Sequence, residues 1–90
     1  MRRLCDEHAL PSPETNAEVA GLECDFVWRD HRLVVETDGW AYHRTRRAFE
    51  ADRGRDQQLA RAGFRTLRFT HRQVVAAAGE VAATLRAVLG

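Results

Sequence analysis

The sequence contains no lysine, because all fourteen of its basic residues are arginine. This absence excludes mechanisms that need a lysine base, a Schiff-base lysine or a phosphate-binding lysine. The two cysteines, Cys5 and Cys24, lie far apart without a C-x-x-C spacing, so neither a disulfide framework nor a zinc knuckle is indicated. No apolar run approaches the roughly 20 residues that a membrane-spanning helix needs, and the N-terminus lacks the apolar core of a signal peptide. We therefore expect a cytoplasmic protein without a membrane partner.

The length and the charge pattern fit one small domain over residues 1–90. Residues 1–43 carry nine acids against four arginines, a balance of −5, whereas residues 44–72 carry nine arginines against three acids, a balance of +6. An acidic first half beside an arginine-rich second half suits a metal site next to a phosphate-binding surface. The alternative is that the arginines after residue 43 lie on a solvated helix face.

Apolar periodicity predicts strands and helices that form a small mixed α/β sheet flanked by helices. The predicted elements are a helix at 2–9, strands at 17–20, 22–28 and 32–38, a helix at 43–62, a strand at 64–69, a helix through 75 capped by Thr70, and a helix at 80–89 behind a break at Gly79. Strict alternation over 22–28 places Leu22, Cys24, Phe26 and Trp28 on one face and Glu23, Asp25 and Val27 on the other.

Three acidic residues fall on the two central strands of this sheet. Glu36 and Asp38 are two residues apart and share one face of their strand, and the hairpin brings Asp25 to about 5 Å from that strand. Converging carboxylates repel one another unless a cation lies between them. Hard oxygen ligands suit Mg²⁺ or Mn²⁺, so a metal site is predicted here. The alternative is a set of solvent-facing acids on a half-exposed sheet.

The turn after this strand adds a histidine and two aromatic residues. His43 follows Asp38 by five residues, and a neutral imidazole there could hold a water or phosphate oxygen or carry a proton near pH 7. Without such a role it is an ordinary histidine at a helix N-terminus. Trp40 and Tyr42 flank the same turn and suit either core packing or stacking on bases.

The long predicted helix carries two carboxylates on its apolar side. Asp52 and Asp56 fall within an arc formed by Ala48, Phe49, Ala51, Leu59 and Ala62. Buried carboxylates need a partner, which Arg55, Arg68 or the metal site could supply. A structural ion pair that anchors the helix to the sheet is the favoured interpretation.

Four segments together resemble the DUF559 endonuclease-like domain, a relative of the very-short-patch repair endonuclease in the PD-(D/E)xK restriction-endonuclease-like superfamily. The segments are 24–28, 33–43, 48–56 and 63–70. The resemblance runs from about Leu10 to the C-terminus and depends on the E-x-D-G-x-x-x-H and R-x-R-D elements together.

The resemblance implies a DNA-cleaving fold with Mg²⁺ held by Asp25 and by an oxygen ligand from the Glu36–Asp38 strand. Asp38 and His43 match the positions of two catalytic histidines of the mismatch enzyme, and Tyr42 matches an aromatic residue that wedges into its DNA. The chain differs from the pattern at Asp38, where the superfamily has its lysine, and at Ala41, which replaces a bulky aromatic residue. Relatives also carry a longer leading helix that helps to build the site, so we expect a truncated N-terminal helix. A missing N-terminal segment and a dimer are both open.

We therefore expect a DNA endonuclease that depends on Mg²⁺ or Mn²⁺ and hydrolyses phosphodiester bonds, for example by nicking. The candidate catalytic residues are Asp25, Glu36, Asp38 and His43, of which the first three are also candidate metal ligands. The candidate DNA-binding residues are Trp40, Tyr42, Arg44, Arg46 and Arg47. Two alternatives stay open: a catalytically inactive nuclease-fold module that binds DNA or regulates, and a dimerising structural domain.

Overall fold

The computed structural model describes residues 1–38 and 45–90. Their elements are α1 (Arg2–Glu7), β1 (Glu14–Val19), β2 (Leu22–Trp28), a 3-10 turn (Arg29–His31), β3 (Leu33–Asp38), α2 (Arg46–Arg61), β4 (Arg65–Thr70), α3 (His71–Ala76) and α4 (Ala78–Leu89). These strands form a sheet in the order β1-β2-β3-β4, in which the first two pairings are antiparallel and β3 pairs with β4 in parallel. The predicted mixed α/β sheet with flanking helices is confirmed.

Apolar side chains cover both faces of the sheet. A larger cluster joins the sheet to α1 and α4, and a smaller one joins it to Leu59 of α2. Strand β3 contributes to both, since Leu33 and Val35 belong to the larger cluster and Val34 to the smaller, and all three are fully buried. This confirms the prediction of a buried strand. Alternation then places Glu36 on the same face as Val34, towards α2.

The strict alternation predicted for β2 is wrong beyond Asp25. Cys24 and Val27 both pack in the smaller cluster, whereas Phe26 packs against the larger one. The recorded pairing of β1 with β2 passes over Asn16 and Asp25, and Asn16 has a left-handed φ of 50°. An irregular step at this point reverses the faces that the following side chains occupy.

Helix α2 is less apolar on its inner face than its sequence predicts. Leu59 is fully buried, but Phe49 is 45% exposed, and Ala51 and Ala62 are exposed as well. Acidic and basic side chains, described below, take the places that the predicted apolar arc assigned to alanine.

The C-terminal helices are separated at Ala77 and not, as predicted, at Gly79. Ala77 leaves helical geometry with φ −130° and ψ 41°, and Gly79 lies in the first turn of α4. The predicted cap is confirmed, because the Thr70 hydroxyl accepts from the backbone N–H of Gln73. The side-chain oxygen of Gln73 in turn accepts from the backbone N–H of Thr70. In the described part of the chain, no helix is both long and apolar enough to cross a bilayer.

Candidate active site

Strands β2 and β3 separate at the point where their carboxylates lie. The backbone pairing recorded between them ends at Phe26↔Val35. Beyond it, the Asp25 amide donates to Glu36 Oε2 at 3.1 Å, and the Thr37 amide donates to Asp25 Oδ2 at 2.9 Å. Each carboxylate therefore satisfies an amide of the opposite strand. We call this arrangement of Asp25, Glu36 and Thr37 the carboxylate fork.

Glu36 is the buried member of the fork. Its side chain is only 8% exposed, and its second oxygen, Oε1, accepts from Arg55 Nη2 of α2 at 2.7 Å. The same nitrogen donates to the Glu23 carbonyl of β2 at 2.9 Å. The hydrogen bond to Glu36 raises the pKa of Arg55, against an opposing effect of burial. Arg55 thus ties α2 to both strands of the fork.

Asp25 is the more accessible member of the fork. It is half-buried, and its Oδ2 also lies 3.4 Å from the Thr37 hydroxyl. Among the hydrogen bonds between described residues, none reaches its other oxygen, Oδ1. The carboxylate is therefore fixed through one oxygen and presents the second for a further ligand.

A second charged group lies beside the fork on the same side of the sheet. The parallel register pairs Arg68 of β4 with Glu36, but the Arg68 guanidinium turns to α2, with Nη2 2.8 Å from Asp56 and Nη1 3.9 Å from Asp52. Burial lowers the pKa of Arg68, and the hydrogen bond and charge of Asp56, with Asp52 and Glu36, outweigh it and raise the pKa overall. The structural ion pair expected between helix and sheet is therefore made by Arg68.

Asp38 and two of the predicted arginines, Arg46 and Arg47, also lie among the described residues. Asp38 ends β3, is half-buried and is in register with Thr70. Arg46 and Arg47 are exposed at the start of α2, and Arg46 Nε lies 3.6 Å from Glu50.

Four predicted site residues, Trp40, Tyr42, His43 and Arg44, lie outside the described residues, as does Ala41. Over 1–38 and 45–90, no group of three or more Asp, Glu, His or Cys side chains comes close enough to hold a metal ion. The described part of the site therefore brings together Asp25 and Glu36 as a pair, without the convergence of three carboxylates that the strand pattern predicts. The metal-ligand set stays a prediction.

Two members of the site were missed by the sequence reasoning. Thr37 has no distinguishing pattern, since its contribution comes from a backbone amide. Arg55 was considered only as a partner for the helix carboxylates, although its position gives a usable signal. It lies four residues before the buried Leu59 and three after Asp52, so the helical period places it on the face that packs against the sheet.

Comparison with known proteins identifies the family and the fold of the chain. The restriction-endonuclease-like family REase_MTES_1575 matches residues 4–89. The chain belongs to this family. The catalytic domain of the homing endonuclease I-Bth0305I has a similar structure, with a TM-score of 0.75 and 17% sequence identity over 96% of this chain and 85% of that domain. At that identity the likeness shows the fold. No curated protein gave a significant match.

Membership in REase_MTES_1575 confirms the predicted restriction-endonuclease-like character and supports a nuclease function acting on DNA. The finer relationship to very-short-patch repair enzymes belongs to the proposal below.

Proposed function

We propose that this chain is a DNA endonuclease of the very-short-patch-repair-like type, within the DUF559 group, and that it depends on Mg²⁺ or Mn²⁺. The carboxylate fork is the observation that carries this proposal. Two carboxylates from the central strands β2 and β3 stand where the pairing of these strands ends, held by backbone amides at 2.9 and 3.1 Å. A purely structural ion pair would not need the strands to separate there.

The donor atoms of the fork fit a hard divalent cation. A carboxylate offers about four acceptor positions, of which Glu36 uses one on each oxygen, while Asp25 Oδ1 accepts from no described residue. Mg²⁺ takes one or two carboxylates and completes its shell with water and phosphate. Asp25 and Glu36 would hold it, with water and phosphate in the remaining positions. A bound ion would lower the pKa of a coordinated water and offset charge on the phosphate.

The charges around the fork favour a cation and disfavour phosphate, so metal and DNA would be bound by different residues. Two carboxylates and one arginine leave the fork with a formal charge of about −1, which attracts a cation and repels bare phosphate. DNA is held instead by the exposed arginines at the start of α2, Arg46 and Arg47, together with Arg44. His43 would carry a proton or orient water, and Trp40 and Tyr42 would stack on bases.

Nicking of supercoiled plasmid, with Mg²⁺, Mn²⁺ or a chelator, tests the proposal. Asp25→Asn keeps an oxygen for the Thr37 amide but removes the charge. Glu36→Gln removes the charge of the buried carboxylate and keeps one acceptor oxygen where Glu36 has two, for the Asp25 amide and for Arg55. Both variants should lose nicking by a factor of about 100 or more, since each removes a metal ligand. Folding is checked by circular dichroism.

Glu14→Gln is the matched control for these variants. Glu14 pairs with Arg29 beyond the far end of β2 at 2.9 Å, with both side chains about half exposed. This change should leave nicking at the parent rate. If folded Asp25→Asn and Glu36→Gln proteins nick as fast as the parent, the fork is not the catalytic centre.

A catalytically inactive module that binds DNA or regulates is the second candidate. The observation that favours it is that both oxygens of Glu36 already accept a hydrogen bond, one from the Asp25 amide and one from Arg55. Such a module would retain DNA in a salt-sensitive manner but cut nothing in any divalent metal. The same plasmid assay, run beside a DNA-retention assay, separates the two functions.

A further inference from the structure

We propose that Arg55 is an internal counter-ion that competes with the metal for Glu36, so that the fork is stable without metal and binds metal weakly until DNA arrives. This inference deepens the proposed function and rests on it. Its evidence is the geometry of Arg55, which lies in α2 and reaches across both strands of the fork.

Glu36 needs a counter-ion because of where it lies. It is the only charged residue among the described ones whose exposure is as low as 6%, and it directly follows the fully buried Val34 and Val35. A buried carboxylate without a cation is strongly unfavourable. The Asp25 amide supplies only a dipole to Oε2, so the positive charge that Glu36 requires comes from Arg55 at 2.7 Å.

No other described cationic side chain forms an ion pair with Glu36. Arg68 is the cation that the register sets opposite Glu36, but it is committed to Asp56 at 2.8 Å and to Asp52. Arg53 points to Asp56 and covers the ring of Phe49. Arg55 itself is fixed by a second bond, to the Glu23 carbonyl at 2.9 Å. Its charge is therefore held beside Glu36 by the backbone of β2 as well as by the carboxylate itself.

A fixed positive charge beside a ligand opposes the arrival of a dication. Charges a few ångströms apart interact by several kcal/mol even at an effective dielectric constant of about 20, and solvent reduces this for a partly exposed group. The Arg55 side chain is 32% exposed, so much of the repulsion remains. A DNA phosphate beside the site contributes negative charge and further oxygen ligands, which offset this repulsion. Metal and DNA should therefore bind with positive coupling.

The test compares Arg55→Gln with the parent by Mn²⁺ calorimetry without DNA and by thermal unfolding. Glutamine can still donate to Glu36 but carries no charge. We expect its metal-free melting temperature to fall by about 10 °C and its affinity for Mn²⁺ to rise by about tenfold or more. Mn²⁺ should also raise its melting temperature by more than it raises that of the parent.

Two further variants act as controls. Arg55→Lys keeps the charge and should bind Mn²⁺ within about threefold of the parent, because one ammonium can make the two bonds that Arg55 Nη2 makes. Arg53→Gln removes the same charge from the same helix at a side chain that is 52% exposed and contacts Asp56. It should leave the affinity for Mn²⁺ unchanged.

The inference is overturned if folded Arg55→Gln binds Mn²⁺ no more tightly than the parent. If that variant does not fold, NMR of the parent protein tests the inference instead. The chemical shift of the Arg55 guanidinium should change as Mg²⁺ is titrated in, and a shift that stays constant while Mg²⁺ binds refutes the competition. Calorimetry needs no cleavage. If the parent binds metal but does not nick DNA, the proposed endonuclease activity is refuted. The effect of Arg55 on metal affinity is still measured independently.

Discussion

Replacing the largely buried Arg68 by methionine should destabilise the fold more than the loss of any exposed arginine among the described residues. Arg68 joins β4 to α2 through Asp56 at 2.8 Å and Asp52 at 3.9 Å. All three side chains are mostly buried, with exposures of 16% for Arg68 and Asp52 and 22% for Asp56. Methionine fills a similar volume, so the change removes charge without opening a large cavity.

The expected loss follows from the burial of the two carboxylates. Removing one partner of a buried ion pair costs about 3–5 kcal/mol. Residual solvent contact and the 3.5 Å approach of Arg53 to Asp56 reduce this, so we expect a loss of about 2–3 kcal/mol in the free energy of unfolding. A domain of this size has about 5–13 kcal/mol in total, and the melting temperature should fall by about 10–20 °C.

Urea unfolding followed by circular dichroism measures this loss. Arg29→Met is the control, because its pair with Glu14 is about half exposed and should contribute less than about 1 kcal/mol. Substituting Asp52→Asn and Asp56→Asn together with Arg68→Met should recover at least half of the loss, since no buried charge is then unpaired. A folded Arg68→Met protein within about 0.5 kcal/mol of the parent would refute the reasoning.

Two further predictions concern the thiols and the exposed arginines. Burial raises the pKa of both Cys5 and Cys24, so a thiol reagent should reach them only on unfolding. The free energy of unfolding should also fall as pH rises above the ordinary thiol pKa of about 8.5, and less steeply when Cys5 and Cys24 are both replaced by alanine. Rapid labelling of the native protein would contradict this. Replacing Arg46 and Arg47 by alanine should lower the salt slope of duplex binding by about 1.8, measured by fluorescence anisotropy, whereas exposed Arg3 of α1, replaced alike, should leave that slope unchanged.

The strands could be predicted because burial determines their sequence directly. Leu33, Val34 and Val35 are apolar without alternation, and they are buried on both faces of the sheet as that pattern implies. The face of the sheet on which each β2 side chain lies could not be predicted in the same way. Its reversal falls at Asp25, opposite Asn16 of the neighbouring strand, which has a left-handed φ, and a periodicity argument applied to β2 alone contains no information on its neighbour.

The choice of ion-pair partners was beyond the sequence for a different reason. With Arg55 and Arg68 facing Glu36, Asp52 and Asp56, several pairings satisfy the same charges. The register sets Arg68 opposite Glu36, yet the pairs are crossed, since Arg55 of α2 binds Glu36 and Arg68 of β4 binds the helix carboxylates. Only the position of α2 on the sheet determines this outcome.

The crossed pairs give the R-x-R-D element a physical meaning. Arg53, Arg55 and Asp56 each have a partner, with Arg53 and Arg68 on Asp56 and Arg55 on Glu36. The element therefore couples α2 to β4 through one residue and to the carboxylate fork through another. A shift of α2 along the sheet would move Arg55 relative to Glu36. Because Arg46 and Arg47 begin this same helix, DNA that bound to them, as we propose, could shift α2 and so move Arg55 relative to Glu36.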